Sequence, residues 1–343
     1  MNSLEKFLEV LARDLEETRA RWSARWREHT NRRTLIVLLA VVLVGSALYW
    51  NIFSPPNNFP EGQLVTIDEG VSLQIVAQSF QQQGVVRSAL ALRMLVIASG
   101  GDRKVHAGDY LFKEPKSMLS VARAIIAGTY GLEPMKFRIP EGATVAQMAK
   151  IFAPQLQRFD RAQFLADAAP LEGYLFPDTY FFLPNATNKT VTETMRNNFD
   201  LHIATIQNQI ASSTHSLKDI VTMASILERE AYNTKDRRMI AGVLWNRLSR
   251  GMLLQVDATF AYTLGKGTSQ ITNADLASND PYNTYKFKGL PPGPIGNPSM
   301  DSLLAAATPI KSSYLFYLAD KHGTTYYSKT YEQHLYYKNL YIP

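Results

Sequence analysis

The chain has 343 residues, of which 46% are hydrophobic and 19% are charged, and its formal net charge is +6. This composition excludes an intrinsically disordered protein, and the length predicts two or three folding units. Because the sequence has no cysteine, it excludes a disulfide scaffold, a thiol nucleophile, an iron–sulfur cluster and a cysteine-ligated zinc site.

An uncharged apolar segment near the N-terminus predicts a transmembrane helix. Residues 34–53 carry no charge and are long enough to cross the bilayer core, which needs about 20 helical residues. Tyr49 and Trp50 stand at one end, where interfacial aromatic side chains are common. The 33 residues that precede the segment disfavour a signal peptide. A buried helix of a soluble protein is the other interpretation.

The cations around this segment predict its orientation. Six arginines occur in the fifteen positions before Thr34, whereas the next Lys or Arg after Phe53 is Arg87. The positive-inside rule therefore places residues 1–33 in the cytoplasm and residues 54–343 outside it. Of the 36 cations and 30 acids, eight and six lie in residues 1–33, which leaves 28 and 24 for the exported part. That balance gives no polybasic surface, so no nucleic-acid partner is expected.

The segment 4–26 is predicted as a basic amphipathic helix beside the membrane. Trp22 and Trp26 are four residues apart, on one face with arginines between them. Such a helix suits the surface of an anionic leaflet. A solvated charged tail is an equally good interpretation.

The exported part predicts an α+β fold behind a proline-rich linker. Strand-like alternation, Ser or Thr helix caps and terminating glycines set the bounds of its elements. Strands are expected at 63–67, 106–112, 136–139 and within 314–341, and helices at 73–83, 88–99, 118–127 and from Thr144 onward, where Gln147 completes a capping box. The aromatic segment 171–182 favours a buried irregular hairpin, with a carbohydrate platform as the alternative.

The helix predicted at 216–231 carries two acids in different environments. At about 100° per residue, Glu228 falls inside the apolar stripe, whereas Glu230 falls on the opposite side and is expected at the surface. A buried carboxylate either keeps its proton, as a general acid requires, or forms an ion pair. The first alternative makes Glu228 catalytic, and the second pairs it with Arg247 of the next helix.

Polar and proline-rich loops follow, at 252–262, 279–285 and 289–298, and they predict a binding cleft. Gln255, Asp257 and Asn283 can hydrogen-bond hydroxyl and acetamido groups. The motifs of serine hydrolases, phosphate-binding loops and zinc hydrolases are absent from the sequence. No metal and no cofactor is expected.

Several motifs occur in a characteristic order, at 172–180, 223–230, 246–248, 251–252, 282–285 and 289–295. In them the chain resembles the YceG-like family, the endolytic murein transglycosylases of MltG type. The resemblance covers nearly everything after the linker. It departs from the family pattern L-Q-T-D-P-T, because this chain has Val256 and Ala258 in the sequence Leu-Gln-Val-Asp-Ala-Thr.

The resemblance completes the predicted organisation. It implies a single-pass protein of the bacterial inner membrane with a periplasmic catalytic domain. The expected parts are a basic cytoplasmic segment (1–33), a transmembrane helix (34–53), a linker (54–60), a LysM-like glycan-binding module (61–135) and a larger α+β catalytic domain (136–343).

The resemblance also implies the chemistry and the partners. Glu228, the first acid of the family motif A-S-I-x-E-x-E, protonates the glycosidic oxygen between N-acetylmuramic acid and N-acetylglucosamine. The 6-hydroxyl of the muramic acid then attacks and leaves a 1,6-anhydro end, so one carboxylate suffices where ordinary glycosidases use two. The expected substrate-binding residues are Gln255, Asp257, Asn283, Tyr285 and Tyr174.

The expected partners are peptidoglycan glycan strands, membrane lipid through residues 34–53, and peptidoglycan synthases. The expected role is the termination or processing of nascent glycan strands. A hydrolytic muramidase and a non-catalytic adaptor that binds the cell wall are the alternative functions.

Overall fold

The apolar N-terminal segment is one continuous helix. The computed structural model describes residues 13–14, 16–22, 32–231 and 233–342, and helix α1 runs over Arg32–Phe53 with no buried residue. Within the described ranges it is the one helix long and apolar enough to cross a membrane. Of the helix expected at 4–26, residues 13–14 and 16–22 are helical, and the rest of that expectation lies outside the described residues.

The chain divides into two compact units, Met1–Gly131 and Leu132–Pro343. In the first unit two strands pair antiparallel, with Leu64 opposite Leu111. The helices between and after the strands begin at serine N-caps, as the sequence predicts. The elements are β1 (Leu64–Ile67), α2 (Leu73–Gln82), α3 (Ala89–Ala98), β2 (Gly108–Leu111) and α4 (Met118–Ala127).

The second unit combines two antiparallel two-stranded sheets with a set of helices. Its elements in chain order are β3 (Met135–Arg138), α5 (Val145–Phe152), α6 (Arg161–Ala168), β4 (Thr179–Phe182), α7 (Asn188–Thr205), α8 (Gln207–Ala211), α9 (Leu217–Glu230), α10 (Thr234–Ser249), α11 (Ala258–Thr263), α12 (Asn273–Leu276), α13 (Met300–Ala307), β5 (Phe316–Ala319), β6 (Thr325–Ser328) and α14 (Tyr331–Tyr341).

Two apolar cores hold this unit together. One is built by α5, α6, α7 and the β3–β4 strand pair, where the rings of Phe137, Phe152 and Phe182 contact one another. The aromatic segment 171–182 is largely buried, as expected, but it forms no hairpin of its own, because its one strand β4 pairs with the distant β3. The capping box of Thr144 and Gln147 at the start of α5 is also present.

The other core surrounds α9, which packs against α10 and α13. Eight consecutive residues of α9, from Ile220 to Leu227, are buried. The middle of the helix is therefore enclosed around its whole circumference. Its two buried hydroxyl side chains bond to the backbone of the same helix, Thr222 to Lys218 and Ser225 to Thr222, so their burial leaves no unpaired donor.

The C-terminal region differs from its prediction. Strands β5 and β6 form a two-stranded sheet of their own, and the residues after them form the helix α14 instead of a further strand. The alternating tyrosines suggested a strand, but Thr330 accepts a hydrogen bond from the N–H of Gln333 and thereby caps a helix.

Candidate active site

A cavity of about 600 Å³ opens at the C-terminal end of α9. Side chains from α9, α10, α11, the loops beside α11, strand β5 and helix α14 line it. They are Arg229, Glu230, Arg247, Gln255, Asp257, Ala258, Ala261, Lys266, Gly267, Tyr285, Tyr317, Tyr331 and His334. The cavity thus collects three of the expected substrate-binding residues, Gln255, Asp257 and Tyr285.

Glu230 is the last residue of α9 and presents its carboxyl group to this cavity. The hydroxyl of Tyr317 donates to Glu230 Oε2 at 2.8 Å, and the backbone N–H of Ala258 donates to the same carboxyl group. Burial raises the pKa of Glu230, the hydrogen bond from Tyr317 opposes that rise, and the charge of Asp257 adds to it. Glu230 therefore keeps its proton to a higher pH than an exposed glutamate.

The expectation that Glu230 lies at the surface is wrong. The helical phase was correct, since Glu228 and Glu230 do point to different sides of α9. The side of α9 opposite the apolar stripe is not exposed to solvent, because the loops and β5 cover it. Tyr317 lies 87 residues further along the chain, so local periodicity carries no sign of this cover.

Two tyrosines supply neutral hydrogen-bond donors to the two acids of the cavity. Tyr317 donates to Glu230, and the hydroxyl of Tyr285 donates to Asp257 Oδ1 at 2.5 Å. Burial raises the pKa of both hydroxyls above their usual value. Each hydroxyl therefore stays protonated and holds the carboxyl group that it contacts.

Gln255 has a strained backbone at the edge of the cavity. Its φ of 52° is the one positive value for a residue other than glycine among the described residues. The strain is held in place by Thr284, whose carbonyl accepts from Gln255 N at 3.1 Å and whose hydroxyl accepts from Val256 N at 3.1 Å. Strain of this kind is frequent where a backbone must present a group to a ligand.

Arg247 ties the surrounding loops together and is not the partner of Glu228. Its guanidinium donates to the carbonyls of Leu254 and Leu315, each at 2.6 Å, and lies 5.1 Å from the ring centroid of Phe316. Burial lowers the pKa of this arginine. It adds a buried positive charge to the wall of the cavity.

Glu228 is buried as expected, but it is absent from the cavity lining. Its side chain is 6% exposed. Oε1 pairs with Arg237 at 3.3 Å, and Oε2 accepts from the backbone N–H of Ser299 at 2.7 Å. Arg237 is also paired with Asp301. The ion pair considered for Glu228 thus exists, with Arg237 in place of Arg247.

Two other expected site residues lie outside the lining. Asn283 is 1% exposed, and its amide donates to backbone carbonyls of the same loop while its oxygen accepts from the N–H of Tyr285. These bonds make it a residue that positions Tyr285. Tyr174 packs edge-on against Phe199, with the guanidinium of Arg196 5.3 Å from its ring centroid.

Another buried acid, Glu172, is not among the site residues that the sequence predicts. It is 8% exposed and accepts hydrogen bonds from the N–H of Val145 and from Asn297 Nδ2, the latter at 2.8 Å. Burial outweighs these bonds and raises its pKa to about 7. Its motif, Glu-Gly-Tyr, is part of the family resemblance. Its partner Asn297 lies 125 residues away, so the local sequence does not indicate that Glu172 is buried.

Comparisons with known proteins point to one family. The model of the YceG-like family matches residues 65–339. The endolytic murein transglycosylase of Bacillus subtilis (strain 168) is 30% identical over 305 residues, which are 81% of this chain and 84% of that protein. The endolytic murein transglycosylase of Streptococcus pneumoniae serotype 2 (strain D39) is 36% identical over 170 residues, which are 48% of this chain and 31% of that protein.

A solved structure is similar as well. The 2.6 Å crystal structure of the putative yceG-like protein lmo1499 from Listeria monocytogenes superposes with a TM-score of 0.54 at 32% sequence identity. The match covers 80% of this chain and 98% of the other.

The buried Glu172 predicts a pH-dependent stability. Its pKa is about 7 in the folded state against an ordinary value of 4.5, so its contribution is complete below pH 4.5 and is lost as the pH rises to 7. The shift corresponds to about 3 kcal/mol. We expect Glu172→Gln to remove this part of the pH dependence in chemical denaturation, whereas Glu141→Gln, at an exposed position of the neighbouring turn, leaves it intact. An unchanged pH profile in Glu172→Gln would contradict the assignment.

Proposed function

The chain belongs to the YceG-like family, and on that premise we propose that it is an endolytic lytic transglycosylase of peptidoglycan whose general acid is Glu230. It cleaves the glycosidic bond between N-acetylmuramic acid and N-acetylglucosamine inside glycan strands. The observation that carries the residue assignment is the position of Glu230 in the cavity, where burial raises its pKa. A carboxylic acid that keeps its proton to a higher pH than usual is suited to protonate a leaving group.

The reaction needs one carboxyl group in two roles. Protonated Glu230 gives its proton to the glycosidic oxygen, the bond from that oxygen to C1 of the muramic acid breaks, and an oxocarbenium-like centre forms at C1. The 6-hydroxyl of the same sugar attacks C1, and Glu230, now a carboxylate, takes up the hydroxyl proton. The acid is thereby restored, and the product ends in a 1,6-anhydro ring.

The other groups of the cavity support this sequence. Tyr317 fixes the orientation of the Glu230 carboxyl group through its 2.8 Å hydrogen bond. The carboxylate of Asp257, held by Tyr285, stabilises positive charge that develops at C1. Gln255, on its strained backbone, is placed to bond the hydroxyl or acetamido groups of the bound sugar. We propose Gln255, Asp257 and Tyr285 as substrate-contacting residues.

Glu228 is the rival for the catalytic role, since it is the first acid of the family motif A-S-I-x-E-x-E. Both of its oxygens are engaged, by Arg237 and by the N–H of Ser299. Glu228 is also absent from the lining of the cavity. The geometry therefore favours a structural role for Glu228 and the catalytic role for Glu230.

The remaining parts of the chain suit an enzyme that works on the cell wall from the membrane. Helix α1 is the proposed anchor, with residues 1–33 in the cytoplasm and the catalytic unit in the periplasm. The first unit, in which a strand, two helices and a second strand follow one another, is proposed as the LysM-like module at 61–135 that binds glycan. Peptidoglycan synthases that supply nascent strands are the proposed protein partners.

Replacement of the two acids of α9 separates their roles. Glu230→Gln keeps the shape and removes the proton, so we expect the rate of glycan cleavage to fall at least ~100-fold with little change in melting temperature. Glu228→Gln weakens a buried ion pair, so we expect a loss of about 3 kcal/mol in stability and a smaller change in rate. A folded, inactive Glu228→Gln beside an active Glu230→Gln would return the catalytic role to Glu228.

The products distinguish the transglycosylase from its two rivals. If the substrate's 6-hydroxyl is the nucleophile, digestion of purified strands in oxygen-18 water gives anhydro ends without the heavy isotope, and mass spectrometry checks this. Reducing ends labelled with oxygen-18 would show a hydrolytic muramidase, with Asp257 as the first candidate for its base. Strand binding without any cleavage would favour the adaptor.

The proposed orientation is tested by fusions at the C-terminus. The arginines before α1 should keep the N-terminus in the cytoplasm, so we expect an alkaline phosphatase fused after Pro343 to be active. A fluorescent protein that matures in the cytoplasm alone should stay dark at the same position. The opposite pair of results would place the catalytic unit in the wrong compartment for peptidoglycan.

A further inference from the structure

The C-terminal helix α14 contributes a wall to the cavity that contains Glu230. Tyr331 and His334 are three residues apart, so they lie on one face of the helix, and both line the cavity. The cap at Thr330, which accepts from Gln333 N, begins the helix immediately before Tyr331. The first turn of α14 is thus fixed at the cavity.

The ring of Tyr331 packs against other aromatic rings but remains partly exposed to solvent. Its centroid lies 5.8 Å from that of Phe316 and 6.2 Å from that of His334. Even so, 57% of the residue is exposed, and its hydroxyl has no hydrogen-bond partner among the described residues. An exposed side chain that also lines a cavity lies at the mouth of that cavity.

The cavity is too small to enclose a whole glycan strand. At about 600 Å³ it falls in the range of sites that enclose one small ligand, about 300–1,000 Å³. A strand that is cut internally continues on both sides of the cleaved bond. Sugars beyond the enclosed ones must therefore cross the mouth, where Tyr331 stands.

We propose that Tyr331 is a sugar-stacking residue that binds a pyranose ring of the strand outside the cavity. The proposal rests on the proposed function. Pyranose rings have an apolar face of C–H groups, and an aromatic ring with a polar edge is suited to cover it. Tyr331 is in this account a binding residue, remote from the proton transfer, and it selects strands long enough to reach it.

The other exposed tyrosine of α14 provides a matched control. Tyr336 is 63% exposed but is absent from the cavity lining, and it lies about 140° around the helix from Tyr331. The rings of Tyr337 and Tyr341 contact Tyr326 instead, at 5.7 and 4.0 Å. Tyr331 and Tyr336 are therefore both exposed tyrosines of the same helix, but Tyr331 alone of the two lies at the cavity.

The experiment compares full-length wild type, Tyr331→Ala, Tyr331→Phe and Tyr336→Ala in detergent on uncross-linked glycan strands of long and short defined length. For Tyr331→Ala we expect KM on long strands to rise roughly 3- to 10-fold, the factor that a ring contact of this kind provides, with kcat unchanged. The shortest cleavable strands should show no such rise. Tyr331→Phe should retain the wild-type KM, because it keeps the ring, and Tyr336→Ala should match wild type.

Several outcomes would overturn the proposal. They are an unchanged KM in Tyr331→Ala, an equal rise on long and short strands, an equal rise in Tyr336→Ala, or a fall in kcat alone. A melting temperature of Tyr331→Ala well below that of Tyr331→Phe, together with a fall in both constants, would show a packing role and overturn it too. If wild type itself cleaves no strand, the proposed function fails, which the same assay reports separately.

Discussion

A buried polar junction at Asn297 is the constraint on which the second unit depends. Asn297 is fully buried, and its backbone carbonyl accepts from Gly142 N while its own N–H donates to Ala143 O. Its side chain accepts from Leu175 N at 2.8 Å and donates to Glu172 at 2.8 Å. One asparagine thereby joins the turn before α5, the segment after α6 and the loop before α13. Buried polar groups are stable when satisfied in this way.

The junction requires a close approach of two backbones. A Cβ atom at Gly296, whose φ is +152°, would lie 2.5 Å from the carbonyl oxygen of Gly142. The proline-rich loop at 289–298 can therefore cross this turn with glycine alone at that position. Ser299 follows directly, and its N–H reaches Glu228. Part of this loop, which the sequence predicts to line a binding cleft, thus fixes the end of α9.

The division of labour between the two acids of α9 follows from this arrangement. Glu228 faces the junction, where Arg237 and Ser299 complete its hydrogen bonds. Glu230, two residues on, faces the cavity, where a tyrosine and one backbone N–H hold its carboxyl group. Burial raises the pKa of Glu230, so it keeps its proton to a higher pH than an exposed glutamate does. Two acids at one helix end thereby have different surroundings.

The sequence by itself determined the apolar helix, the helix caps, most element bounds and the family, because each depends on neighbouring residues or on motif order. It also predicted Gln255, Asp257 and Tyr285 as substrate-binding residues, and these line the cavity, whereas the equally expected Asn283 and Tyr174 do not. Tertiary structure alone decided which acid meets the cavity, since Tyr317 and Ser299 lie 87 and 71 residues from their partners. It also places the C-terminal helix against the cavity. Periodicity reports which side of a helix is apolar, but what covers the other side depends on distant segments of the chain.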